Sequence, residues 1–189
     1  DATALIGAVP ARYKWSGGDV DMDTYFAMAR GAQREGLDVK AMEMTKWFDT
    51  NYHYIVPEFR PGQTFRLAST KPLDEFREAR GLGLVTKPVL IGPVTFLLLG
   101  KAKAARFDRL ALLDALLPVY AEVLRSLAEA GAEWVQFDEP CLALDRTKEE
   151  LEAYRRAYGA LARQAGGLKL LVATYFAGLE DNLPTALAL

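Results

Sequence analysis

The stretch AEWVQFDEP, residues 132–140, indicates how this chain folds. Its apolar residues form a short run that stops at the turn sequence DEP, which is typical of a strand buried on both faces. KPVLIGP at 87–93 and LKLLVATYF at 168–176 have the same form. We therefore predict three buried strands. In a (β/α) barrel, their polar carboxyl ends are where ligands bind.

Helical sequences separate these three strands. Apolar residues at spacings of three and four line one face of a helix at 107–130, which Gly131 ends. Pro118 inside that span should bend or break the helix. TKEE at 147–150 is a capping box that opens the next helix, which ends before Gly166. This alternation predicts right-handed crossovers and a parallel sheet.

The predicted fold class is therefore α/β, with residues 1–189 forming a single domain. A complete (β/α)8 barrel of the TIM type needs about 250 residues, so we expect part of such a barrel, incomplete at both ends. The chain begins without methionine and stops within an apolar pattern, which we interpret as a piece of a longer protein. A doubly wound sheet is the alternative that periodicity does not separate from the barrel.

The rest of the chain has weaker patterns. DMDTYFAMARG at 21–31 predicts a short helix with acidic residues at its start and glycine at its end. PLDEFREAR at 72–80 predicts another helix, since proline suits a first turn and Gly81 follows. The segment 43–62 is interpreted as mostly loop with a strand-like start, and 178–188 as the start of a further helix.

Composition narrows the class of protein. Apolar residues make up 51% and charged residues 25%, an ordinary globular mixture. The net charge of −2 argues against a broad nucleic-acid surface. No apolar run approaches the roughly 18 residues of a membrane span, and no signal peptide is recognisable. The single cysteine, Cys141, allows no intrachain disulfide, so we expect a reducing, cytoplasmic setting.

Three titratable residues are candidates for chemistry. Asp138 and Glu139 are adjacent on a predicted strand, so their side chains should point to opposite faces, which argues against a glycosidase pair. The alternative for Asp138 is a structural carboxylate that binds loop amides. His53, the only histidine, lies between Tyr52 and Tyr54 and is favoured as a hydrogen-bonded loop residue over a base or metal ligand.

Aromatic residues crowd into EMTKWFDTNYHYIVPEF, residues 43–59. Lys46 lies beside Trp47 and could bind an anion or rest its stem on the rings. Arg12, Lys14 and Arg60 are further cations that could lie nearby. The chain contains neither GxGxxG nor GxxxxGK[ST], so a nucleotide cofactor has no support.

Several of these motifs together resemble one family, the cobalamin-independent methionine synthases. The resemblance covers essentially the whole chain. It rests on VPARY (9–13), EMTKWFDTNYHYIVPEF (43–59), KPVLIGPVTFLLLGK (87–101), WVQFDEPCLAL (134–144) and TYFAGLEDNL (174–183). Members of this family have two similar barrels, of which the C-terminal one carries zinc and catalysis. The resemblance is to the N-terminal, non-catalytic barrel.

The resemblance implies transfer of the methyl group of 5-methyltetrahydropteroyltri-L-glutamate to homocysteine, giving methionine, without cobalamin. It implies that Lys46 binds the folate triglutamate tail and that the C-terminal barrel of the same protein is a partner. The zinc-binding His-x-Cys pair of that barrel corresponds here to Val172 and Thr174, so zinc is expected outside this segment. Asp138, Glu139 and His53 are then relics or structural residues.

Two other functions remain open at this point. The segment could be a pure scaffold whose aromatic loop packs against the partner barrel and contacts no ligand. It could also be a barrel enzyme resembling uroporphyrinogen decarboxylase, with Asp138 as the polar anchor. If the segment is the N-terminal part of the methyltransferase, or a pure scaffold, we expect it to be inactive by itself.

Overall fold

Helices and short strands alternate along the chain in the computed structural model, which describes all of residues 1–189. The fold is mixed α/β. The helices are α1 (Ala2–Leu5), α2 (Met22–Arg30), α3 (Lys71–Gly81), α4 (Pro93–Leu99), α5 (Leu113–Glu129), α6 (Lys148–Gln164) and α7 (Leu183–Ala186). The strands are β1 (Ala32–Arg34), β2 (Leu37–Val39), β3 (Met44–Lys46), β4 (His53–Ile55), β5 (Glu58–Phe59), β6 (Val89–Ile91), β7 (Lys101–Ala102), β8 (Trp134–Asp138) and β9 (Lys169–Ala173).

The three predicted strands form one parallel sheet in the order β6-β8-β9. The register pairs Ile91 with Asp138 and Asp138 with Ala173, so all three strands end at one edge. We call this the carboxyl edge. The prediction of a parallel sheet from 87–93, 132–140 and 168–176 is confirmed, although each strand is shorter than its apolar run.

The crossover after β6 differs from its prediction in two ways. A 3-10 turn at Arg109–Leu112 precedes α5, so the α-helix begins six residues later than position 107. Pro118 does not break the helix, because α5 continues through it to Glu129. Pro118 is exposed in the second turn, so water can reach the carbonyl oxygen that its missing N–H leaves unpaired.

The second crossover, α6, begins as predicted. The Thr147 hydroxyl accepts from the Glu150 amide at 3.2 Å, and the Glu150 carboxylate accepts from the Thr147 amide at 3.0 Å. The helix then buries Tyr154, Tyr158 and Leu161 against the sheet and α5. These two helices and the sheet enclose the main apolar core, which stabilises the fold by removing hydrocarbon from water.

Helix α4 was not predicted. Its apolar sequence, PVTFLLL, shows no helical period because both its faces are buried, and a short apolar run does not distinguish helix from strand. Pro93 at the first position fits a helix start. None of the helices in the chain has the combined length and hydrophobicity needed to cross a membrane.

The segment 43–62 contains more strand than expected. β3 and β4 pair antiparallel as a hairpin, and β5 pairs with β7; the rest of the segment is loop, as predicted, and β3 is its strand-like start. The predicted helices at 21–31 and 72–80 are confirmed as α2, capped by Asp21, and α3. After β9, a 3-10 turn at Glu180–Asn182 leads into the short α7.

Candidate functional site

The β3–β4 hairpin presents two of the predicted site residues on one face. Lys46 and His53 are directly opposite in its register, so their side chains lie side by side. Both residues are exposed. The Lys46 ammonium takes part in none of the ion pairs of the chain, whereas Lys101 is paired with Glu43 at 2.6 Å. Lys46 is therefore free to meet an anion.

His53 is held by its own turn. Its Nδ1 lies 2.9 Å from the carbonyl oxygen of Asn51, which can only accept, so Nδ1 carries the proton. The sequence suggested that the neighbouring tyrosine hydroxyls would be its partners, but they are not. Tyr54 instead donates to the carbonyl of Leu99 at 3.2 Å, and Tyr52 is exposed.

The tip of the hairpin is a tight turn lined with aromatic rings. The Thr50 hydroxyl donates to the Trp47 carbonyl at 2.7 Å, and the Trp47 amide donates to the Tyr52 carbonyl at 2.6 Å. The Trp47 ring packs edge-on against Phe48 at 5.2 Å and against Tyr54 at 5.5 Å between centroids. These contacts make the tip a defined structure.

The tip touches the end of β9 through a pair of phenylalanines. The rings of Phe48 and Phe176 stack with centroids 5.1 Å apart and planes 29° apart. Both residues have positive φ, 54° for Phe48 and 78° for Phe176. This left-handed conformation is unfavourable for bulky residues, so the surrounding contacts must hold both of them there.

Asp138 lies half-buried at the carboxyl edge with two neutral partners. Its carboxylate accepts from the Gln136 amide nitrogen at 2.7 Å and from the Tyr175 hydroxyl at 3.2 Å. Burial, together with the negative charge of Asp138, raises the pKa of Tyr175 to about 12, so this hydroxyl keeps its proton and remains a donor. Asp138 is thus oriented from both sides.

Glu139 points the opposite way, into the protein, as the alternation of a strand predicts. Its fully buried carboxylate accepts from the amides of Thr95 at 2.8 Å and Val94 at 3.3 Å, and from the Tyr158 hydroxyl at 2.8 Å. Burial raises the pKa of Glu139 to about 7 even though these hydrogen bonds favour the charged form. The carboxylate joins β8 to α4 and α6.

Two of the other candidate cations, Arg12 and Lys14, are engaged elsewhere. Arg12 makes a two-pronged ion pair with buried Glu58, at 2.6 and 2.8 Å. Burial alone would raise the pKa of Glu58, but the hydrogen bonds and charges of Arg12 and Lys103 outweigh it and lower that pKa. Lys14 donates to the Gly36 carbonyl. Arg12 and Lys14 therefore do not extend the free charge of Lys46.

Cys141, the only thiol in residues 1–189, is buried. Burial raises the pKa of the Cys141 thiol to about 11, so it is protonated at neutral pH. Its amide donates to the Thr95 hydroxyl at 3.3 Å. This geometry favours the interpretation of Cys141 as a small apolar core residue.

Comparison with known families decides what this chain is related to. The model of the family described as "Cobalamin-independent synthase, N-terminal domain" matches residues 1–189, the entire chain. The chain belongs to this family.

Individual members of the cobalamin-independent synthase family are closely similar to the chain. It is 57% identical to the 5-methyltetrahydropteroyltriglutamate–homocysteine methyltransferase of Caulobacter vibrioides and 62% identical to the protein of that name from Salinibacter ruber. Each comparison covers 100% of this chain but only 26% and 25% of the relative. The chain thus spans about a quarter of the length of these relatives.

The zinc site that the synthase family implies does not fit this segment. Val172 lies within β9, paired with Phe137, and Thr174 follows the strand; neither side chain is an imidazole or a thiolate. No group of three or more His, Cys, Asp or Glu side chains is placed to hold a metal ion. The residues present give zinc no ligand set here.

Sequence reasoning missed the residues that join the hairpin to the sheet. Tyr175 and Phe176 were interpreted only as the end of an apolar strand, and Gln136 as a strand residue. The one available signal was two aromatic residues directly after a strand, a place where exposed rings are common at binding surfaces. Their partners, Asp138 and Phe48, are too distant in sequence for periodicity to connect.

Proposed function

We propose that this chain is the N-terminal, non-catalytic part of a methyltransferase that transfers the methyl group of 5-methyltetrahydropteroyltri-L-glutamate to homocysteine, giving methionine. The family match over all of residues 1–189 supports this, together with the printed names of relatives that are 57% and 62% identical. The description of the family as cobalamin-independent fits a reaction without that cofactor. The parallel β6-β8-β9 sheet with its crossover helices suits part of a (β/α)8 barrel.

We propose further that residues 1–189 contain no catalytic centre. The zinc that the family resemblance implies would lie outside them, in a C-terminal barrel of the same protein, since Val172 and Thr174 supply no ligand. Homocysteine would bind there as well. The proposed location of the whole protein is the cytoplasm, in keeping with the single buried thiol of residues 1–189.

The role proposed for this segment is to scaffold the protein and to bind the folate triglutamate tail through Lys46. The observation that carries it is the exposed Lys46 ammonium, which is unpaired, whereas Lys101 and Arg12 are each paired with a carboxylate. A flexible polyanion needs point charges and imposes little geometry, which suits lysine. His53 lies beside Lys46 in the hairpin register.

The test is the variant Lys46→Ala in the full-length methyltransferase. Removing a screened lysine–carboxylate contact should cost about 1–2 kcal/mol. We therefore expect KM for the triglutamate folate to rise roughly 5- to 30-fold, with KM for the monoglutamate folate nearly unchanged. Lys148→Ala is the matched control, since Lys148 is also exposed but lies at the start of α6. Equal effects of Lys46→Ala on both substrates would contradict the proposal.

A second candidate is a pure scaffold, and the aromatic contacts of the hairpin tip favour it. Trp47 and Phe48 already have ring partners within the chain, so they need no ligand to be ordered. If this role is the correct one, replacing either ring should lower stability and leave both KM values unchanged. Folate binding should then also leave the fluorescence of Trp47 unaltered.

A further inference from the structure

The β3–β4 hairpin is not hydrogen-bonded to the β6-β8-β9 sheet, so other contacts must set its position. At its base, Glu43 pairs with Lys101, but both side chains are about half exposed and such pairs contribute little. In its middle, Tyr54 donates to the Leu99 carbonyl. At its tip, Phe48 stacks on Phe176, three residues beyond the end of β9.

This stack is built on two unfavourable backbone conformations. Phe48 and Phe176 both have φ in the left-handed region, which bulky side chains rarely adopt. A backbone outlier of this kind persists only where the surrounding structure determines it. Here the two residues with unusual φ contact each other. This indicates that their backbone conformations are maintained because they allow the two rings to stack.

The sheet side of the stack is anchored. Tyr175 donates to Asp138 at 3.2 Å, and its ring packs edge-on against Phe176 at 4.8 Å. A continuous series of contacts therefore runs from the carboxyl edge to Phe48, which is two residues from Lys46. Because ring stacking uses no charged group, it fixes the hairpin without introducing a carboxylate that would compete with an anionic ligand for Lys46.

We propose that Phe176 is a positioning residue that sets where Lys46 meets the anionic tail of the substrate. The inference rests on the proposed role of Lys46 and adds a residue to which no role has been assigned. Phe176 acts through Phe48 and the turn of the hairpin. Without the stack, the tip moves, and the ammonium is held less closely to the carboxylates it binds.

The test is Phe176→Gly in the full-length methyltransferase. Glycine accepts a φ of 78° without strain, so this variant removes the ring while favouring the existing backbone. An aromatic pair contributes about 0.5–1.5 kcal/mol, so KM for the triglutamate folate should rise roughly 2- to 10-fold. KM for the monoglutamate folate and kcat should stay unchanged. The separate variant Phe176→Tyr keeps an aromatic ring at this position, so its KM for the triglutamate folate should stay normal.

Two further variants separate the possible outcomes. Phe26→Ala is the matched control, because Phe26 is 46% exposed, as Phe176 is, but lies on α2. In a Lys46→Ala background, Phe176→Gly should have no additional effect on KM.

If Lys46→Ala acts on the triglutamate alone but Phe176→Gly has no effect, positioning is overturned and tail binding stands. If Lys46→Ala affects both substrates equally, both proposals fail; equal effects of Phe176→Gly on both substrates overturn positioning.

Discussion

Glu139 joins three elements through one buried carboxylate. The strand alternation placed it opposite Asp138, but its partners on α4 and α6 are 44 and 19 residues away and could not be predicted from the sequence. Its buried carboxylate accepts hydrogen bonds from two amides and a hydroxyl in place of water. The effect of burial outweighs that of these hydrogen bonds and raises the pKa of Glu139 to about 7. The native state therefore favours the protonated form of Glu139 more than the unfolded state does.

This pKa predicts a pH-dependent stability. The pKa of Glu139 rises from 4.5 to about 7 on folding, so the native state holds more protons between these values and stability falls as pH increases through them. The loss should reach about 3 kcal/mol. Glu139→Gln cannot titrate, and its amide can donate to Tyr158 while accepting from Thr95. Relative to wild type, this variant should gain stability from pH 4.5 to 7, measured by urea unfolding of the full-length protein; a constant difference would contradict the prediction.

Helix α4 depends on the glycine that precedes it. A methyl group at Gly92 would overlap the buried carboxyl group of Glu139. Gly92→Ala should therefore lower the free energy of unfolding by about 1–3 kcal/mol, the usual cost of overpacking. Gly159→Ala, inside α6, is the control, because its methyl group would make only an ordinary contact with Arg163. It should raise stability by about 0.5–1 kcal/mol in the same urea unfolding experiment; equal signs for the two variants would refute the packing argument.

The elements differ in how far the sequence predicts them. α5, α6 and the three strands of the sheet were predicted because their apolar periods and caps are local signals. The β3–β4 hairpin was not, since its turn from Trp47 to Tyr52 lacks the Asn-Gly or Asp-Gly signal of short hairpins. Its position also depends on Phe176, a contact across 128 positions. The role of Lys46 was inferred from a family resemblance. The contact that holds its hairpin, Phe48 on Phe176, joins residues far apart in the sequence and could not be predicted from local patterns.

At the scale of the whole molecule, the sheet has two unpaired edges. β6 and β9 each pair only with β8, so neither has a strand partner on its other side, although the Ile91 carbonyl of β6 accepts from the Tyr120 hydroxyl at 2.9 Å. Beside β6 lies a groove of about 1020 Å³, lined largely by apolar residues that include Leu5, Met28, Phe76 and Leu90. Exposed edges and apolar surface of this size promote association with other chains.

We therefore predict that the isolated segment, residues 1–189, self-associates in a concentration-dependent manner in sedimentation velocity experiments. Val89, on the free edge of β6, is 53% exposed, so Val89→Lys would place a charge on that edge without entering the core. This variant should reduce association because a charged edge strand pairs poorly. Val85→Lys adds the same charge at a residue that is 97% exposed and outside any strand, so it should have little effect. A monodisperse wild-type segment with a cooperative melting transition would contradict the predicted self-association. Equal effects of the two lysines would implicate net charge rather than the open edge.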